Sequence, residues 1–380
     1  MRRRFVLLVA ALALPACLLA VPAGADPAGG ANAYIVVLKD AVDPDAIANI
    51  HANKYGAKVD AVWGHALHGY AAVIPNDRVA ELRTDANVKY VVADGEASIA
   101  AQTLPWGVDK IDADQSPTAL AGNGSGAVSN VNVYVIDTGV DTTHPDLNVV
   151  SFVSFTGGPK KDCNGHGSYV AGTIAARDDS QGVVGVAPGA PIHAVKVLGC
   201  SGSGSWSGVI SGIDWVTANA IRPAVANMSL GGSANQAVDD AVVRSANSGV
   251  FYAVAAGNDG ANACNQSPAR AGAGTNNGIA TVAATDSGDN EASWSNYGSC
   301  VDIWAPGVSI YSTYNNGGYA TLSGTSMASP HVDGGGALYL STHASATASS
   351  VESTLKAAAV STGTTSKGGN AITREYVGGY

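Results

Sequence analysis

The chain has 380 residues, 46% of them apolar and 13% charged, so it has ample material for a core and does not have the polarity of a disordered chain. Its formal net charge of −10 argues against nucleic acid or an anionic membrane surface as a partner. Glycine is abundant, with 47 residues against 4 phenylalanines, which fits tight helix–sheet packing and many sharp turns without the period of collagen.

The first residues read MRRRFVLLVAALALPACLLAVPAGADPA. Three arginines, an apolar run and a small-residue end at Ala25 are the parts of a secretory signal peptide. A membrane anchor is the alternative, but Pro15 and Pro22 interrupt the run. A lipid acceptor at Cys17 fits poorly with the LPAC sequence around it. No later segment is apolar for the roughly 20 residues a membrane span needs. The expectation is a secreted chain that loses residues 1–25 and has no membrane partner.

Residues 33–96 then read as a strand (AYIVVLKD), a capped helix ending at Gly56, one or two strands in AVWGHALHGYAAVIP, a second helix and a final strand. The order β-α-β-β-α-β predicts a small α+β ferredoxin-like unit. The polar stretch ADGEASIAAQT leads out of it as a linker.

From Trp106 the pattern changes. VNVYVID, APIHAVKVL, AVANMSL, VFYAVAAG and IATVAAT are apolar runs of strand length, with helical stretches between them: GSYVAGTIAA, WSGVISGIDWVTANA and AVDDAVVRSANSG. Strands buried on both faces and joined by helices predict an α/β fold, a doubly wound parallel sheet with helices on both faces. Ligands in such folds collect at the carboxyl ends of the strands.

Three side chains at those ends carry chemistry. Asp137 closes VNVYVID, His166 stands between glycines in DCNGHGSYVAGT, and Ser326 lies in GTSMASPHV. Each alone reads as a cap or a turn residue. Together they meet a chemical need: a serine alcohol requires a general base, and the imidazole requires a carboxylate to fix its tautomer and stabilise its cation. Asn258, just after VFYAVAAG, stands where a neutral donor to an oxyanion would. Removing the signal leaves Cys163, Cys200, Cys264 and Cys300, which in an exported chain imply two disulfides with three connectivities open.

With VIDTGVD, NGHGSYVAGT, NMSLGG, AVAAGN and GTSMASPHV in that order over about residues 106–375, the chain resembles a subtilase of the secreted proteinase K and aqualysin type. The resemblance implies a subtilisin-like peptidase over 101–380, preceded by an inhibitor and foldase propeptide over 26–100 that is cut off near Ala100 and Ala101. It implies a catalytic Asp137, His166 and Ser326, with Asn258 and the Ser326 N–H as oxyanion hole. Gly202, Ser203 and Gly204 would pair with one edge of an extended peptide, and Ser229, Leu230 and Gly231 with the other. Ala255, Ala256 and Gly257 would wall the pocket for the residue before the cut, with apolar or aromatic preference. The resemblance also pairs Cys163 with Cys200 and Cys264 with Cys300. Each loop of roughly 36 residues contributes on the order of 4 kcal/mol in the chain-entropy model. It implies no cofactor for catalysis and a structural calcium, with Asp286 at one family ligand position. Partners would be protein and peptide substrates and the chain's own propeptide, acting on a monomer.

Three positions depart from the family pattern. Tyr169 replaces a second histidine and Ser168 a threonine. Asp333 replaces a small residue and is followed by three glycines. It lies about two turns, roughly 10 Å, beyond Ser326, too far to touch the nucleophile. An unpaired carboxylate there threatens the central helix more than the chemistry. The competing reading from another class is an impaired subtilase fold serving as a binding module.

Overall fold

The computed structural model describes residues 30–94, 102–274 and 276–380. The expected signal segment and cleavage bond lie outside them. The chain divides into two compact units, Met1–Ile99 and Ala100–Tyr380.

The first unit runs β1 (Ala31–Leu38), α1 (Pro44–Tyr55), β2 (Lys58–Trp63), β3 (Gly69–Pro75), α2 (Asn76–Leu82) and β4 (Val88–Ala93). Its strands form one antiparallel sheet in the order β2-β3-β1-β4, as the ferredoxin-like reading requires. Local chemistry sets the limits of α1. Asp43 accepts from Asp45 N and Ala46 N, Pro44 starts the helix, and Gly56 ends it at φ 65°. Val36, Leu38, Ile47, Tyr70, Ile74 and Leu82 form the unit's own core.

The second unit begins with α3 (Trp106–Lys110), β5 (Asn132–Asp137), β6 (Val149–Ser154), α4 (His166–Ala175), β7 (Ile192–Lys196), α5 (Trp206–Asn219) and β8 (Ala224–Met228). It continues through β9 (Gly232–Ser233), α6 (Gln236–Asn247), β10 (Val250–Ala255), β11 (Gln266–Ser267), β12 (Ile279–Thr285) and β13 (Ile303–Pro306). Last come β14 (Ile310–Tyr314), β15 (Gly318–Leu322), α7 (Thr325–Thr342), α8 (Ala348–Ala358), β16 (Val360–Thr365) and β17 (Ala371–Arg374).

Nine of these strands make one sheet in the order β16-β17-β13-β12-β10-β8-β5-β7-β6. All neighbours are parallel except the β16 and β17 edge pair. Alternation along β5 explains the continuous apolar run: Val133 and Val135 enter the core on one face, Tyr134 and Ile136 that on the other. Helices α4, α7 and α8 supply Val170, Val332 and Leu355 to the first face, while α5 and α6 supply Ile213 and Val242 to the second. The expected doubly wound sheet is therefore present, with an antiparallel edge and a separate β14–β15 hairpin added. Winding reverses around β5, whose neighbours are β7 and β8, so a crevice opens beyond the carboxyl ends of these strands.

Helix α7 crosses this sheet buried along nearly its whole length. Pro330 lies inside the helix as its sixth residue, so Ser326 O loses its intrahelical donor; Ser229 Oγ donates to that carbonyl instead, at 2.8 Å. The glycines permit close approach: a Cβ on Gly334 would lie 2.5 Å from Val186 Cβ, and one on Gly336 2.6 Å from Phe251 Cδ1. A Cβ on Gly335 would strike the Glu375 carboxyl. Gly335 and Gly336, costly to a helix by propensity alone at roughly 1 kcal/mol each, are thus required by packing. Asp333 found no donor, since neither of its carboxyl oxygens is hydrogen-bonded, and the same holds for Glu375. Both residues are fully buried. Burial, with Glu375 adding repulsion, pushes the Asp333 carboxyl far above the carboxylate range. Burial also raises Glu375 to about 8, against the opposing pull of Arg374.

Candidate active site

Asp137 ends β5 and is wholly buried. Its carboxylate accepts from His166 Nδ1, at 2.8 Å to Oδ1 and 2.9 Å to Oδ2. Because Nδ1 donates, Nε2 is the ring atom left to take a proton. His166 opens α4 directly after Gly165, whose φ of 104° and contact with the Tyr314 ring admit no side chain. Burial disfavours the imidazolium, but the Asp137 carboxylate, with Asp162 assisting, outweighs it and raises the His166 pKa above the usual value.

Ser326 is the second residue of α7, so its N–H is among those a helix start leaves without an internal partner. Its hydroxyl donates to Ser229 O at 3.2 Å, and Ser229 Oγ donates to Ser326 O at 2.8 Å. In this rotamer the hydroxyl faces Ser229; rotation about χ1 is the motion that would turn it to another acceptor. Asn258 Oδ1 accepts from Thr325 N at 2.8 Å and Thr325 Oγ1 at 3.0 Å. Among the described residues no acceptor takes its Nδ2, and Asn258 lines the same cleft as Ser326.

Two adjoining clefts meet at residues 229–233. One, of about 480 Å³, is bordered by His166, Gly202, Ser203 and Gly204. The other, of about 510 Å³, is bordered by Ser326, Asn258, Ala255 and Gly257. Ser229, Leu230 and Gly231 line both. Ala256 is a correction to the expected pocket wall: it is fully buried in a small apolar cluster and lines neither cleft, because successive residues leaving a strand point to opposite sides. The second cleft also holds Asp259 and Gln266, a more polar lining than the small-residue run AVAAGN implied.

Cys163 is bonded to Cys200 and Cys264 to Cys300. The first bond braces the loop before His166 against the segment bearing Gly202, and Asn164 Nδ2 adds a hydrogen bond to Cys200 O at 3.1 Å. Tyr169 is fully buried beside Ile310 and Met327, and its hydroxyl donates to Ile310 O. Asp286 Oδ1 already accepts from Gly288 N and Asn290 N, both at 2.9 Å, so donors of its own turn hold the atom a cation would take. Among the described residues no group of three His, Cys, Asp or Glu is poised to hold a metal. The residues around Asp286 do not fit a calcium cage.

Sequence reasoning missed a buried chain of bonds beneath the site. Ser329 Oγ donates to Asn227 Oδ1 at 2.7 Å, and Asn227 Nδ2 donates to Ser229 Oγ at 2.8 Å, tying β8 to α7. The available signal was an asparagine inside the apolar run AVANMSL, since buried polar groups find partners. Lys196 in APIHAVKVL gave the same signal and was likewise passed over.

Residues 128–379 match the subtilase family, and residues 33–100 match the peptidase inhibitor I9 family. The chain belongs to the subtilase family. It is 46% identical over 308 residues to an extracellular serine proteinase of Thermus sp. (strain Rt41A), covering 79% of this chain and 73% of that protein. It is 44% identical over 310 residues to alkaline serine exoprotease A of Vibrio alginolyticus, covering 78% of this chain and 56% of the relative. A crystal structure of a cold-adapted subtilisin-like serine proteinase superposes with a TM-score of 0.63 at 43% identity, covering 72% of this chain and 97% of that one. This subtilase is a serine peptidase with an inhibitor-type module ahead of its catalytic unit.

Proposed function

We propose that this subtilase is a secreted endopeptidase in which Ser326 attacks the scissile carbonyl, His166 takes its proton and passes it to the leaving amine, and Asp137 holds the imidazole. The developing oxyanion would be met by Asn258 Nδ2 and the Ser326 N–H, and water would then release the acyl-enzyme. The observation that carries this reading is the Asp137 bond to His166 Nδ1 at 2.8 Å beside the clefts that hold Ser326 and Asn258. An extended peptide would pair with 202–204 on one side and 229–231 on the other, its side chain before the cut entering the cleft of 255 and 257. Small walls favour apolar or aromatic groups there, and Asp259 extends the range to basic ones. All reacting groups are present, so a binding module has no support.

The first unit is proposed to act as intramolecular inhibitor, released by cleavage near Ala100 and Ala101, with residues 1–25 as export signal. The mature enzyme is taken as a monomer acting on proteins and peptides, without nucleic acid or membrane. Structural calcium is proposed from family membership, away from Asp286, to act on stability and not on turnover.

A peptide-library digest tests the reading. Wild type is expected to cut within chains after apolar, aromatic and some basic residues, and Ser326→Ala to cut none. Undiminished hydrolysis by Ser326→Ala would overturn it.

A further inference from the structure

Behind the Asp137 and His166 pair lie two buried, oppositely charged side chains that the chemistry above does not use. Asp162 is 6% exposed, and its carboxylate takes five hydrogen bonds. Oδ1 accepts from Thr138 Oγ1 at 3.0 Å, Asn164 N at 3.0 Å and Gly165 N at 2.9 Å. Oδ2 accepts from Ser168 N at 3.0 Å and Ser168 Oγ at 2.6 Å. One carboxylate thus ties the residue after Asp137 to the two residues before α4 and to Ser168 in its first turn, on either side of His166.

Lys196 approaches the same turn from β7, where it is the register partner of Asp137 on β5. It is wholly buried, and its ammonium donates to Thr138 O at 2.6 Å and Leu198 O at 2.9 Å, with Cys163 Sγ at 3.9 Å. Burying a lysine is expensive unless its charge is answered. Burial lowers the Lys196 pKa, and Asp162 and Asp137 oppose that shift. Thr138 is therefore gripped from two sides: its hydroxyl donates to Asp162 and accepts from Gly167 N at 2.9 Å, while its carbonyl accepts from Lys196.

We propose that Asp162 and Lys196 are positioning residues, a buried two-charge clamp on Thr138 that sets the Asp137 carboxylate against His166. Neither lines a substrate cleft itself, although Thr138, Asn164 and Leu198, which they hold, border the first one, so the clamp should act mainly on turnover with a smaller effect on substrate binding. The charged groups acting on His166 are Asp137 from β5 and Asp162 from the loop before α4. Lys196 from β7 faces both carboxylates, and from β14 the neutral Tyr314 hydroxyl bonds Asn164 O at 2.8 Å. Asp162 raises the His166 pKa directly, whereas Lys196, which faces the Asp137 carboxylate, would act through it by weakening its hold on the imidazolium, so the two clamp charges work in opposite directions.

The proposal rests on the assignment of Asp137 and His166 to the reaction. Its test is the pH profile of kcat/KM on a short peptide, per folded molecule counted by thermal transition, for Asp162→Asn, Lys196→Met and His166→Ala. Asp162→Asn is expected to move the acidic limb down by about half a pH unit and Lys196→Met to move it up by about as much. Each should lower kcat by about 10- to 100-fold with KM little changed. Asp162→Glu and Lys196→Arg keep the charge but move it, so they should hold the wild-type limb with kcat still lowered; they decide the matter if the neutral variants do not fold. Full turnover by His166→Ala would overturn the reaction assignment itself. An inactive His166→Ala alongside limbs that stay put or move together, or charge-keeping variants whose limb shifts, would overturn the clamp alone.

Discussion

His166 links geometry to measurable chemistry at the residue scale. Its pKa is raised, so the neutral imidazole needed as a base is scarce below the ordinary histidine range and gains population as pH rises. The kcat/KM profile is expected to have an acidic limb above about 6.5. Asp137→Asn, which removes the charge that outweighs burial, should lower activity by orders of magnitude and shift that limb downward; steady-state kinetics across pH 5–9 read both. Asn258→Ala should cost roughly 10²- to 10³-fold in kcat with little change in KM, a magnitude that comes from subtilisin itself. The three side chains proposed to react stand out in the sequence because each closes a strand or opens a helix within a strongly patterned motif. Their support was not. Asn227 and Lys196 sit inside apolar strands, and nothing local says which distant group they meet.

At the scale of the element, α7 departs most from what a subtilase helix should contain. Asp333 and Glu375 bring four buried oxygens with no hydrogen-bond partner. The Tyr252 hydroxyl, which feels the Asp333 charge, is already bonded to Ser245 at 2.8 Å. Both carboxyls have folded pKa values raised above their unfolded ones, so the folded state holds protons that the unfolded state releases. Stability is therefore greatest below about pH 3.8 for this pair and falls as pH rises; for Glu375 the fall runs from about 4.5 through about 8. Asp333→Ala should stabilise by about 1–3 kcal/mol near neutral pH, the cost of leaving a buried polar group unpaired. Glu375→Gln should flatten the decline between pH 5 and 8. Melting curves over that range check both, and a large gain in activity per folded molecule without any gain in stability would contradict the Asp333 account. The sequence exposed Asp333 as an intruder in a helix. It could not place Glu375 beside it, because their contact depends on how the final strand returns along the sheet.

On the scale of the whole molecule, the long apolar runs gave β5, β7, β8, β10 and β12, each buried on both faces, but not the equally buried β13, whose four residues are too short a run. β6, with intermediate burial at the sheet's edge, and the polar β16 and β17 carry no such run and were not anticipated. The small-residue composition made sense only once α7 was seen lying close against Val186 and Phe251. The two disulfides tie the loop before α4 to the segment after β7, and the segment after β10 to the loop before β13. Reducing both should lower the melting temperature markedly, at on the order of 4 kcal/mol per bond, while sparing the initial rate at low temperature. Chelating the proposed structural calcium is expected to act in the same sense, on melting and not on turnover. The account stands or falls on whether Ser326 is activated by His166. The most direct measurement is mass-spectrometric mapping of a fluorophosphonate adduct on the processed protein, alongside the His166→Ala variant. A single adduct on Ser326, formed orders of magnitude more slowly without the imidazole, is the predicted result; an adduct elsewhere, or equal labelling rates in the two proteins, would contradict it.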